Sequence, residues 1–297
     1  MKKVLLTGSS GLVGSRLVEL LKDRYQLLTP NEKEFNLLDQ SSLKKYLDKH
    51  QPDYLFNLAA FTDVNAAEQQ TGDKHGLCWQ LNVDGLESLI KSLPKSTHLF
   101  HISTDMVFSG SVKDPGPYAE NHPLPQSSEQ LTWYGWTKNR GEQFALNAGH
   151  SIIRIIYPIR LRFADKADYL RGILNKYAQG KLHPLFSDQL ISITFIDHLA
   201  EVISAIIDKN LSGIFHACSS DTTNPYQLAK YALKQLGQDT SVVKRSSLKD
   251  YLKTLDNPYR YPLVGGLQTN KSAQLTGLTY PTWQEIIDQL ISQGLSL

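Results

Sequence analysis

Val4-Leu5-Leu6-Thr7-Gly8-Ser9-Ser10-Gly11-Leu12-Val13-Gly14 is the stretch on which the fold turns. Val4 to Leu6 is a short continuous apolar run, as a strand buried on both faces of a parallel sheet requires. Glycines at 8, 11 and 14 follow, and Leu12, Val13, Leu17, Leu20 and Leu21 recur at helical spacing. Strand, tight turn and helix in that order bring unpaired N–H groups and a helix dipole to one point, where a pyrophosphate can sit. Glycine allows the tight turn and the close approach of backbone to phosphate. The spacing is GxxGxxG, not the broader GxGxxG fingerprint, and glycines alone also serve ordinary turns. Their place between a first strand and a first helix is what points to a dinucleotide.

Outward from this turn, residues 25–29 and 53–60 read as strands and 40–50 as a helix with Leu43, Tyr46 and Leu47 on one face. A helix over 81–92 and a strand over 98–103 follow. Residues 134–149 then read as a helix and 151–156 as another buried strand. This alternation predicts an α/β class, a Rossmann doubly wound parallel sheet, with a smaller C-terminal substrate-binding lobe. The expected division is 1–156 with about 193–230 for the Rossmann domain, and about 157–192 with 231–297 for the lobe. A ligand is expected in the cleft between them. Helices are expected over 170–179, 196–207, 227–236 and 283–291, and a strand over 213–217. Residues 109–131 are rich in Pro, Gly, Ser and acids, too long for a simple connection.

Composition narrows the function classes. The 297 residues are 41% apolar and 20% charged with a formal net charge of +2, so no strong field draws the chain to nucleic acid or an acidic membrane. The N-terminal Met-Lys-Lys and its apolar run are cut short by the glycine turn, Arg16 and Glu19, against a signal peptide. No stretch approaches the roughly 20 apolar residues of a membrane span. Cys78 and Cys218, the only cysteines, read as small buried residues in a reducing compartment. A soluble cytoplasmic protein is expected. No metal site is expected: His98 and His101 fall on opposite faces of a strand, and no Cys/His cluster has zinc spacing.

Two further features carry chemistry. Tyr134 and Lys138, at i and i+4, share a helical face. A nearby ammonium favours the phenolate, which suits general acid–base work. YxxxK is also what an amphipathic helix with one buried aromatic and one solvated lysine looks like. Ser103-Thr104-Asp105 closes a buried strand, where ligands gather in open α/β sheets. A hydroxyl there can bond a carbonyl oxygen, and equally can serve a turn or cap.

Taken together, in this order and on these elements, the features resemble the extended short-chain dehydrogenase/reductase family, in its dTDP-4-dehydrorhamnose reductase branch. The resemblance rests on TGSSGLVG (7–14), PDYLFNLAAFTDVNAAE (52–68), LNVDGLESLI (81–90), HISTDMVFSG (101–110), YGWTKNRGEQ (134–143) and LQTNKSAQLTGLTYPTWQEII (267–287). It implies an NAD(P)-dependent oxidoreductase that reduces a keto group on a nucleotide-linked sugar. Tyr134 would donate the proton, Thr104 orient the carbonyl, and Lys138 hold the ribose and lower the Tyr134 pKa. Gly8, Ser10, Gly11, Leu12, Val13 and Gly14 would cradle the pyrophosphate. Asn36 and Leu37 would meet the adenine, and Leu58, Ala59, Ala60 and Ser103 would line the cofactor with Tyr134 and Lys138. Thr62, Val64, Asp105 and Tyr157 would face the substrate. Glu68 belongs to the motif without an assigned role. A homodimer is compatible with the family.

The chain departs from the branch in places. Asn36-Leu37 stands where Asp and an aliphatic residue are usual, with Asp39 as another candidate. No acid sits at the tip of the second strand, Leu28-Thr29-Pro30-Asn31-Glu32-Lys33, and Lys33 could meet a 2′-phosphate, so NADP(H) is favoured over NAD(H). Met106 replaces the branch's Tyr and the dehydratases' Glu, and Met cannot act as the base for elimination. Tyr157 takes the place of a substrate-stacking Trp, and residues 187–194 lack the usual Pro before Thr194. Two alternatives remain: a sugar-nucleotide epimerase, and a non-catalytic NADP-binding regulatory subunit like the methionine adenosyltransferase β subunit.

Overall fold

The computed structural model describes all 297 residues. In chain order the elements begin β1 (Lys3–Thr7), α1 (Leu12–Leu21), β2 (Gln26–Leu28), α2 (Gln40–His50), β3 (Tyr54–Asn57) and α3 (Val64–Glu68). Next, α4 (Leu77–Trp79) runs through a π-helical turn at Gln80–Asp84 into α5 (Gly85–Ser92). Then come β4 (His98–Thr104), α6 (Trp133–Asn147), β5 (Ser151–Ile155), β6 (Pro158–Ile159), α7 (Tyr169–Ala178), β7 (Leu185–Phe186) and β8 (Thr194–Phe195). The chain ends through α8 (Ile196–Asp208), β9 (Ile214–His216), α9 (Pro225–Gln235), β10 (Arg245–Ser246), α10 (Leu248–Leu252), α11 (Asn270–Thr276) and α12 (Trp283–Ser292).

Contacts divide the chain into two compact units. The first comprises Met1–Phe108, Pro123–Arg154 and Ile203–Phe215. The central sheet has six strands in the order β2-β1-β3-β4-β5-β9, with β1 parallel to both β2 and β3, and β3 parallel to β4. The expected α/β Rossmann architecture is present. The connections reverse direction between β1 and β3, so the carboxyl ends of these strands open on a topological switch point. The apolar runs of β1, β3 and β4 are buried because helices cover both faces of such a sheet. Leu5, Leu43, Leu47, Leu55, Leu86 and Leu99 share one core layer.

The second unit comprises Ser109–His122, Ile155–Val202 and His216–Leu297. Its core includes Leu170, Leu174, Phe195, Leu228, Leu233 and Ile287 from α7, β8, α9 and α12. Two short parallel pairs, β6 with β8 and β7 with β10, complete it. A capping box starts α12: Thr282 accepts from the Glu285 N–H, and Glu285 accepts from the Thr282 N–H.

Several element ends differ from the expectation for local reasons. β3 stops at Asn57 because the Leu58 and Ala59 N–H groups turn to the Thr7 hydroxyl, at 3.1 and 3.0 Å. The helix expected from 81 starts four residues earlier, at Leu77, where Gln70 accepts from the Cys78 N–H at 2.9 Å. Asp39 caps α2, accepting from the Ser41 and Ser42 N–H groups. The short helices α3, α10 and α11 carry too few residues for a periodic signal. Cys78 and Cys218 are free and buried, as expected.

One buried ion pair fixes α6 on β5. Arg154 reaches Glu142 through Nε at 2.9 Å and Nη2 at 2.7 Å, with both side chains fully enclosed and the guanidinium 4.7 Å from the Phe108 ring. Removing one partner of such a pair strands a buried charge, at a cost of about 3–5 kcal/mol. Arg154→Met is therefore expected to lose that much unfolding free energy in urea titration. A loss below about 1 kcal/mol would show that Glu142 does not depend on its partner.

Candidate active site

The glycine turn is built by contact as well as by conformation. Gly8 sits at φ +63, and a Cβ there would lie 3.0 Å from the Ala59 nitrogen. A Cβ at Gly14 would fall on the Gly8 carbonyl oxygen. The turn therefore packs directly against the segment leaving β3, with Gly8 beside Leu58 and Ala59. Gly11 caps α1 without any side-chain hydrogen bond. Ser10 and Gly11 are exposed, and Leu12 and Val13 are half-buried. At the end of β4 the Ser103 hydroxyl is buried with no hydrogen-bond partner. A turn that admits no side chain at Gly8 or Gly14, a helix start without a competing cap and an unpartnered buried hydroxyl fit a nicotinamide dinucleotide.

Thr104, Asp105 and Tyr134 converge at the next position. The Thr104 hydroxyl donates to Asp105 Oδ1 at 3.1 Å and accepts from the Met106 N–H at 3.2 Å. Tyr134 packs with Ala67, Cys78 and Trp133, against which Val64 and Met106 also pack. Burial, the Asp105 carboxylate and the Cys78 thiol raise the Tyr134 pKa above the ordinary phenol value, while hydrogen bonding with Thr104 lowers it. The direction is opposite to that expected from a neighbouring lysine. Lys138 is 2% exposed and turns toward β4: its Nζ lies 2.7 Å from His101 Nε2 and donates to the Ile102 carbonyl at 2.7 Å. Burial lowers its pKa to about 7.

The other expected residues are more dispersed. Asn36 Oδ1 accepts from the Leu38 N–H at 2.9 Å, and Leu37 is buried in the core layer beside Gly85. Both thus have local tasks at the end of their turn. Thr62 is exposed just before the half-buried Val64, which opens α3. Tyr157 lies in the second unit at φ +40, with its ring 4.2 Å from that of Tyr169. A positive φ at a non-glycine residue is uncommon and must be held by its packing. Lys33 is exposed in a turn where Asn31 Oδ1 accepts from its N–H at 2.9 Å.

Several positioning residues carry no local signal in the sequence. Glu68 accepts from the Trp133 N–H at 2.6 Å and Thr132 from the Gly135 N–H at 2.9 Å, so α3 and an N-cap together fix the start of α6. A Cβ at Gly135 would strike the Met106 carbonyl, which lets α6 sit close on the turn after β4. Asn82, in the π-helical turn, clamps Phe61 by accepting from its N–H at 2.8 Å and donating to its carbonyl at 3.1 Å. It also donates to the Thr137 hydroxyl at 3.0 Å. The available signs were polar residues inside otherwise apolar segments: Asn57, Asn82 and His101.

A Rossmann sheet with a glycine cradle, a strand-end threonine and a helix bearing tyrosine and lysine four apart defines a dehydrogenase/reductase-type site. Over residues 1–295 the chain matches the family described as RmlD substrate binding domain, and it belongs to that family. It is 28% identical over 304 residues to the spore coat polysaccharide biosynthesis protein SpsK of Bacillus subtilis, covering 100% of this chain and 99% of that protein. It is also 28% identical over 242 residues to the dTDP-4-keto-6-deoxy-D-glucose reductase of Streptomyces niveus, covering 81% of each. The crystal structure of dTDP-4-dehydrorhamnose reductase from Bacillus anthracis in complex with NADP superposes with a TM-score of 0.82 at 23% identity, covering 99% of this chain and 100% of that one.

Asp105 gives the site a measurable pH signature. Burial raises its carboxyl pKa from 3.8 to about 7, against hydrogen bonds from Thr104 and backbone N–H groups. Between these values the folded chain holds a proton that the unfolded chain has released. Stability contributed by Asp105 is therefore full at low pH and lost as pH rises through about 7, by on the order of a few kcal/mol. Asp105→Asn is expected to gain stability over the parent in urea titrations at pH 8 but not at pH 4. An equal difference at both pH values would contradict this protonation.

Proposed function

We propose that this chain is an NADP(H)-dependent oxidoreductase that reduces the keto group of a nucleotide-linked sugar. The observation that carries the reading is the convergence of Thr104, Asp105 and Tyr134 at the carboxyl end of β4, in the same parallel sheet whose first strand ends in the glycine turn. The reductase names of its relatives, S. niveus among them, support the same chemistry and the sugar-nucleotide class. NADP(H), when bound, supplies the hydride. Gly8, Ser10, Gly11, Leu12, Val13 and Gly14 hold its pyrophosphate, with Leu58, Ala59, Ala60 and Ser103 alongside. Lys138 holds the ribose.

The protein's own part is proton transfer and orientation. The raised pKa of Tyr134 keeps it a phenol at neutral pH, so it enters the reaction carrying the proton that the sugar's oxygen needs. The Thr104 hydroxyl shares that oxygen and aligns the carbonyl. Asp105 and Val64 flank this point, and Thr62 and Tyr157 belong to the proposed substrate contacts. Buried free cysteines fit a reducing compartment, and we place the protein in the cytoplasm.

Tyr134→Phe removes the proton donor and little volume. Turnover of a 4-keto nucleotide sugar is expected to fall by at least about a hundredfold, with NADPH affinity nearly unchanged in a fluorescence titration. Unchanged turnover would refute the role of Tyr134. In the same titration NADPH is expected to bind at least about tenfold more tightly than NADH, and Lys33→Ala to erase most of that margin. Equal or tighter NADH binding would remove the preference for the phosphorylated cofactor.

A further inference from the structure

A line of four buried polar side chains crosses the first unit from β1 to α6. Thr7, Asn57 and His101 are register partners on β1, β3 and β4, and Lys138 of α6 ends the line. The direction of each hydrogen bond follows from the one before it. The Thr7 oxygen accepts from the Leu58 and Ala59 N–H groups, so its two lone pairs are used and its one hydrogen points at Asn57, 2.6 Å away. The Asn57 atom facing Thr7 must therefore be the carbonyl oxygen. Its amide nitrogen then faces His101 Nδ1 at 3.2 Å and donates to it.

An Nδ1 that accepts leaves the proton of a neutral imidazole on Nε2. Imidazolium is disfavoured here, because burial lowers the His101 pKa and a second N–H would meet the Asn57 amide. The Nε2–H points at Lys138 Nζ, 2.7 Å away. An ammonium has three hydrogens and no lone pair, so it cannot accept this bond. An amine can accept it and still donate to the Ile102 carbonyl.

We propose that the Thr7–Asn57–His101 chain is a positioning device that fixes the His101 tautomer as Nε2–H and thereby holds Lys138 as a neutral amine in the cofactor-free protein. The low pKa of Lys138 agrees with this geometry. The other groups around α6 act in the opposite sense or are already matched. Glu142 and Cys78 favour the ammonium, but Glu142 is paired with Arg154. Asp105 bears on Tyr134, and Glu68 is bonded to the Trp133 N–H. The proposal deepens the reading of Lys138 as the residue that holds the ribose. A ligand that requires its positive charge must bring one proton from solvent to Nζ and turn the His101 bond around, so that Nε2 becomes the acceptor.

Nitrogen NMR on the whole chain, labelled with 15N at lysine and histidine, reads both groups directly without cofactor. Signals are assigned by their loss in Lys138→Met and His101→Gln. At pH 8 the parent is expected to show His101 as the Nε2–H tautomer and Lys138 as an amine, titrating near 7 rather than in the ordinary lysine range of about 10.4. Asn57→Asp turns the middle donor into an acceptor without changing its shape. It is expected to move the His101 proton to Nδ1 and raise the proton affinity of Lys138 at least about tenfold. An Nδ1–H tautomer or an ammonium in the parent at pH 8 would overturn the proposal, and this stands even if Asn57→Asp fails to fold. Absence of NADPH binding to the parent would count against the cofactor reading alone, because the lysine and histidine signals are taken without it.

Discussion

The structure of the site depends on one constraint: polar side chains must be satisfied at the carboxyl end of a sheet whose interior is otherwise apolar. Thr7, Asn57 and His101 meet it by bonding along the strand register, and Lys138 meets it from α6. An unpaired buried polar group costs about 1–3 kcal/mol, so each member holds its neighbours in place. The line also sets geometry. Thr7 ends β3 by drawing in the Leu58 and Ala59 N–H groups, which places that segment against the glycine turn. Lys138 ties α6 to β4, and with it Tyr134 to Thr104.

Around that line the site keeps its titratable groups from charging. Asp105 and Tyr134 both have raised pKa values and Lys138 a lowered one, with burial the first cause in each case. A reductase of a ketone needs a proton donor that is still protonated when the hydride arrives, and burial of Tyr134 meets that condition in the proposed reading. Groups tuned by desolvation are also cheap to retune, because a bound ligand replaces water or fills space beside them.

The sequence made the frame legible where local chemistry decides. The glycine turn, the buried strands and the YxxxK helix all follow from residues close together in the chain, and the bounds of α2 and α6 come within two residues of the expected ones. What stayed hidden depends on contacts between distant residues. Glu68 reads as a motif residue until its carboxylate is found on the Trp133 N–H, 65 positions away. His101 reads only as a histidine on the opposite face from His98 until Lys138 is brought to it. Burial sets the upward shift at Tyr134, and Lys138 does not offset it. Spacing alone puts Lys138 beside the tyrosine, whereas the fold offers the lysine a carbonyl and an imidazole on β4 instead.

The most direct test of the account is the stoichiometry of the reaction itself. The purified chain is incubated with NADPH and dTDP-4-dehydrorhamnose, and cofactor absorbance and sugar product are followed together. The account predicts one NADPH oxidised for each sugar reduced. NADPH left unconsumed, whether the sugar is isomerised or untouched, would contradict it.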